Sequence, residues 1–143
     1  MIQRIQSVWL LVAGLLTLLT FRLAFWTTTW KDASSTKMYS NSSGSLLMYI
    51  AVIALIVLSF ATIFLFKKRP LQMQLAWLGI IISIGLFILE IKEAEDIRDN
   101  PNFSFGNWNL GIILPLLILV FFFMAWKAMR KDHKLVKSLN RLR

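Results

Sequence analysis

"LLMYIAVIALIVLSFATIFLF", residues 46–66, is a run of 21 residues without one charged side chain. As a helix rising 1.5 Å per residue it would be about 31 Å long, which matches the roughly 30 Å hydrocarbon core of a bilayer. The rest of the chain agrees with a membrane reading. Of its 143 residues 57% are hydrophobic, more than the 45–50% of a soluble domain, which has no interior large enough to hide the excess.

Three further runs flank this one, at residues 8–26, 75–91 and 110–126. The last two are short, and flanking residues lengthen each of them. Backbone polar groups have no water to bond inside lipid, so each run is expected to be a helix. An outer-membrane barrel would instead alternate with period two. The first run has a basic start at Arg4 but no small-residue cleavage site. "TFRLAFWTTTW", residues 20–30, places Arg and bulky aromatics there, so the run reads as an uncleaved anchor. The expected fold is an all-α membrane protein, a bundle of four transmembrane helices at residues 1–126. A basic amphipathic tail, residues 127–143, is expected to continue the fourth helix, since nothing after Pro115 breaks a helix.

The connections are read as follows. "KKRPLQMQ", residues 67–74, turns at Pro70. Residues on either side of "KDASS", 31–35, are β-branched and aromatic, which suits a small hairpin. Helix three is expected to run on through residues 90–99 and to stop before Pro101.

The charges separate by loop. Arg4, Lys67, Lys68, Arg69, Lys127, Arg130, Lys131, Lys134, Lys137, Arg141 and Arg143 fall on one side, where Asp132 is the one acid. On the other, Arg22, Lys31, Lys37, Lys92 and Arg98 are outnumbered by Asp32, Glu90, Glu93, Glu95, Asp96 and Asp99. Lys and Arg in short loops favour the cytoplasm, so both termini are expected inside. The Trp residues fit this arrangement, with Trp26, Trp30 and Trp108 near the outer edge and Trp9 and Trp126 near the inner one. An apolar ring with one polar N–H suits the headgroup region.

The residues that could carry chemistry are few. The chain has no Cys, which removes disulfides, thiolate nucleophiles and zinc–thiolate sites. Its one His, His133, lies in the tail. No nucleophile–base or metal set falls within the spans, so no catalytic residue, cofactor or metal is expected. Arg22 and Glu90 are placed at a similar depth near the outer edge and could pair; separately, Arg22 would snorkel to headgroups and Glu90 would face water. Thr17, Thr20, Ser59, Thr62 and Ser83 are read as packing residues, as are Gly79 and Ser83 at i, i+4. Pro115 is read as a static bend in mid-span.

In the tail, Leu135, Leu139 and Leu142 form a stripe at i, i+4, i+7, with Arg130, Lys131, Lys134, Lys137, Arg141 and Arg143 around it. Such a helix suits an anionic membrane surface, each cation contributing on the order of 1 kcal/mol. A partner protein's groove would accept the same stripe. No aromatic residue interleaves these cations after Trp126, so base stacking on nucleic acid has little support.

"MIQRIQSVWLLVAGLL" (1–16), "FKKRPLQMQL" (66–75) and "AMRKDHKLVKSLNRLR" (128–143) resemble the family known as domain of unknown function 4293, four-pass proteins of the Bacteroidota. His133 stands where that family has Glu, and "SLNRLR" where "SADRLR" is commoner; both departures make the tail more basic. The resemblance implies an inner-membrane protein with cytoplasmic termini and implies no activity. The residues that carry the resemblance, 1–6, 68–74 and 130–143, all fall on the expected cytoplasmic face, which places function there: a non-enzymatic accessory protein docking anionic lipid or a larger membrane complex. The alternative is a small-solute channel or transporter subunit.

Overall fold

The computed structural model describes residues 2–31, 37–42, 44–65 and 68–139. Among these are four helices, α1 (Ile2–Leu19), α2 (Leu46–Phe64), α3 (Arg69–Arg98) and α4 (Leu114–Leu139), and three strands, β1 (Trp26–Trp30), β2 (Lys37–Ser40) and β3 (Phe103–Trp108). The protein is therefore mostly helical but not all-α: the strands form an antiparallel sheet in the order β2-β1-β3.

Short connections make successive helices antiparallel neighbours. Each packs on its neighbour in sequence, and α1 closes the ring against α4. Leu10, Leu55, Ile118 and Phe122 are wholly buried between the helices. The outward faces are apolar too: Leu11, Leu15, Val57, Ile81, Val120 and Phe123 are all exposed. A soluble bundle would put polar residues there. Three helical stretches are long and apolar enough to cross a membrane, namely α2, α3 and Leu110–Val136. The apolar part of α1, Ile5–Leu19, is about 22 Å long at 1.5 Å per residue. This is a multi-pass membrane protein.

The first helix departs from the run at residues 8–26 in both directions, starting at Ile2 and stopping at Leu19. Its last turn loosens where Thr20 donates its hydroxyl to the Thr17 carbonyl and Thr17 donates to Ala13. Such bonds compete with the helix ladder. Residues 20–23 turn, and β-branched Thr27, Thr28 and Thr29 between two Trp then favour a strand. Pro115 is also not in mid-span. A 3-10 turn, Leu110–Ile113, comes first, so Pro115 is the second residue of α4. There its missing N–H breaks no helical bond and its fixed φ suits a helix start. Pro70 has the equivalent place in α3. The same helix runs 30 residues, about 45 Å, and ends at Arg98, before Pro101 as expected.

The strands on either side of the expected hairpin turn, residues 31–35, pair antiparallel, with Thr28 opposite Met38 and Trp26 opposite Ser40; residues 32–36 themselves lie outside the described residues. The third strand comes from a segment read as loop. It pairs Trp26 with Trp108 and Thr28 with Gly106. Side chains alternate across a strand, so Trp26, Thr28 and their partners share the face turned to α3; Trp26 and Thr28 are both buried. Only a residue without a side chain fits at 106, because a Cβ there would lie 2.2 Å from the Trp26 ring.

The same argument explains the contact between α3 and α4. A Cβ at Gly79 would come within 2.5 Å of the buried Phe122 ring, whereas nothing lies within 4 Å of one at Gly85. Ser83, one turn on, donates its hydroxyl to the Gly79 carbonyl. The Gly79–Ser83 pattern thus serves packing inside the bundle. Gly79→Ala is expected to cost about 1–3 kcal/mol, since the rigid ring must move. Gly85→Ala should be neutral or stabilising by up to about 1 kcal/mol. Unfolding of the two variants in detergent tests the contact, and equal stabilities would contradict it.

Candidate functional site at the basic end of the bundle

One end of the bundle gathers the start of α1, the α2–α3 turn and the last third of α4. Trp9 of α1 packs on Phe121 of α4 with centroids 5.7 Å apart. The Gln72 side-chain amide crosses the turn to the Thr62 carbonyl at 3.0 Å. The sheet lies at the opposite end, with Trp26 against Trp108 at 4.7 Å.

No Gly or Pro follows Pro115, and α4 runs unbroken to Leu139, past Lys134 as the sequence suggested. Within this stretch Trp126 is the pivot. Trp77 of α3 meets it edge-on at 5.4 Å and Phe123 lies at 5.8 Å. The Arg130 guanidinium sits over its ring at 5.2 Å. A guanidinium over an indole face is attracted by the ring quadrupole, which holds Arg130 close to the apolar belt. Below it Lys127, Lys131 and Lys134 are exposed.

Asp132 lies 3.2 Å from Arg69 at the start of α3. The contact is an ion pair without hydrogen-bond alignment. Both side chains keep some solvent contact, 31% and 17% exposed, so the pair is worth at most about 1 kcal/mol. Its effect on charge matters more. The one acid of this end is engaged by Arg69, and the cations of α4 are left without an acidic partner among the described residues.

Phe123, Met124 and Trp126 and, further along the same helix, Lys127, Arg130, Lys131 and Lys134 line an open groove of about 730 Å³ along one face of α4. An apolar half joined to a cationic half matches an anionic headgroup with its acyl chain. Leu135 and Val136 are 47% and 39% exposed. Of the other expected docking residues, Lys137 and Leu139 fall in the last turn of α4, and Arg141, Leu142 and Arg143 lie outside the described residues. The sequence reading missed the groove's aromatic wall and the Arg69–Asp132 pair. A lone acid within a basic tail was the available signal for the pair.

At the sheet end Arg22 and Glu90, which the sequence allowed to pair, do not meet. Because α1 stops at Leu19, Arg22 sits in the following turn and is exposed. Glu90, however, does not face water: it is 1% exposed, and Ser42 donates its hydroxyl to Glu90 Oε1 at 3.3 Å. Among the described residues no set of three potential ligands for a metal comes together.

No curated protein and no solved structure matches the chain. The family model described as domain of unknown function (DUF4293) matches residues 2–142, taking in every element from α1 to the basic end of α4. The bundle, its sheet and its basic groove are thus those of a member of that family, and the chain belongs to DUF4293.

Proposed function

We propose that this chain is a small, non-enzymatic accessory protein of a bacterial inner membrane, with four spans and both termini in the cytoplasm. Its basic end docks an anionic lipid or a partner protein there. The observation that supports this reading is the groove on α4, where Lys127, Arg130, Lys131 and Lys134 continue an apolar wall of Phe123, Met124 and Trp126. Cations beside an anionic leaflet each contribute on the order of 1 kcal/mol, and Trp at that level suits the headgroup region. The uneven distribution of Lys and Arg supports the orientation. The rise of α1, shorter than a full hydrocarbon core, is accommodated by local thinning or by the polar residues that flank it.

A small-solute channel or transporter subunit is the weaker reading. Thr17, Thr62 and Ser83 each donate their hydroxyls to a carbonyl one turn earlier on their own helix. Hydroxyls so engaged offer little to a passing solute. Among the described residues the one fully buried ionisable side chain, Glu90, lies toward the sheet end of α3 and not in mid-helix, where coupled transporters carry theirs.

Reporter fusions at Gly44, Pro70 and Arg143 are expected to read outside, inside and inside. An outside signal at Arg143 would overturn the orientation and the docking argument together. Deleting residues 135–143 removes the last five residues of α4 and leaves α1, α2, α3 and the groove residues of α4 in place. It is expected to lower co-purifying anionic phospholipid or partner protein, measured by mass spectrometry of protein isolated in mild detergent. If the shortened protein keeps every lipid and partner and restores function to a deletion strain, the tail is a topology signal alone.

A further inference from the structure

The sheet and α3 enclose a second cavity, of about 340 Å³, at the end of the bundle opposite the basic groove. The strands supply Thr28, Trp30 and Ser40, the chain just beyond β2 supplies Asn41, and α3 supplies Glu93 and Ile97. The placement follows from two periods. Thr28 and Trp30 are two apart on β1 and share the face turned to α3, while Glu93 and Ile97 are four apart on α3 and share one side of it.

The polar groups of this region are incompletely matched. Thr28 is 1% exposed, it lines the cavity, and its Oγ1 has no hydrogen-bond partner. One turn before Glu93, Glu90 uses Oε1 to accept from Ser42, while its buried Oε2 has no partner. Buried polar atoms are nearly always paired. Glu90 is not among the lining residues, but Thr28 is, and its hydroxyl points to a missing partner. The charge of the walls gives its sign. Glu93 lines the cavity, and no Lys or Arg does so among the described residues. Lys31 donates to the Pro101 carbonyl, Arg98 lies over the Trp26 ring, and Lys92 is exposed on α3 and does not line the cavity.

We propose that this cavity binds a small primary ammonium ion. Such an ion carries three N–H donors, enough for the Glu93 carboxylate, Thr28 Oγ1 and one further oxygen of the wall, with Trp30 offering an aromatic face to the charge. The volume lies at the lower limit of small-molecule sites and exceeds what a bare metal ion fills. A free amine and the ethanolamine headgroup of a phospholipid share this chemistry.

The test uses the full chain, purified in a sugar-based detergent and titrated calorimetrically with ethanolamine. Saturable binding is expected, weakened about tenfold or more by Glu93→Gln, the loss typical of a hydrogen bond to a charged group. Thr28→Val should weaken it severalfold. Exposed Glu95→Gln should leave it unchanged, as should any loss of charge away from the cavity. Choline, which has no N–H donor, should bind more weakly than ethanolamine, and ethylene glycol should not bind. If the natural source is lipid, nanodiscs containing phosphatidylethanolamine will block ethanolamine uptake and phosphatidylcholine nanodiscs will not; if it is a free amine, both will permit it. Absence of saturable binding, unchanged affinity in both Glu93→Gln and Thr28→Val, or tighter binding of magnesium or calcium at the same site would each overturn the proposal. Should Glu93→Gln fail to fold, Thr28→Val alone decides.

Discussion

In lipid an apolar side chain gains nothing by turning away from its solvent, so apolar helices adhere through close packing rather than through hydrophobic burial. The seating of the Phe122 ring on the bare backbone at Gly79 is the clearest instance in this protein. It fixes how closely α3 and α4 approach, and much else follows. With that contact made, Trp77 of α3 reaches Trp126 of α4 further along the same seam. Beyond them Arg69 reaches Asp132. The basic groove therefore stands on a rigid pair of helices.

The two ends of the molecule treat charge in opposite ways. At one, the single acid is engaged by Arg69, and cations crowd an exposed helix beside aromatic rings. At the other, carboxylates on α3 approach the underside of a small sheet, and one of them, Glu90, is shut away from water with a serine. The formal charge of +9 conceals this contrast, because it is the sum of a strongly basic end and a slightly acidic one. Asp132 matters more to electrostatics than to stability. An exposed ion pair holds the fold weakly, yet it decides which cations remain available.

Long apolar runs announced α2, α3 and α4, and the lack of a breaker after Pro115 announced the long α4. The end of α1 was hidden because "FRLAFW", residues 21–26, has five apolar residues around its single Arg22 and so extends the apolar run of the helix before it. Hydropathy does not register that aromatic and β-branched residues prefer a strand when one is on offer. β3 was hidden for the opposite reason: "FSFGNW" lies in a polar stretch, and its strand exists only because β1 presents an edge to it. Pro115 was misplaced because the apolar run begins at Leu110, while the chain takes a 3-10 turn before entering α4. The Arg22–Glu90 pairing that the sequence allowed assumed a helix at Arg22 and found a turn. Ser42, the residue Glu90 does meet, stands 48 positions away, a separation on which sequence pattern is silent.

The order of the strands bears on how the protein is made. β1 leaves the ribosome directly after α1, but its central place in the sheet is completed by β3, whose Trp108 pairs with Trp26 across almost the whole intervening chain. Synthesis proceeds from the N-terminus, and closing so long a loop is slow compared with pairing neighbours. The hairpin of β1 and β2 thus waits with one edge open until α2 and α3 are in place. β3 is made after α3 and before α4, so its closure ties the first strand to the segment that leads into the last helix.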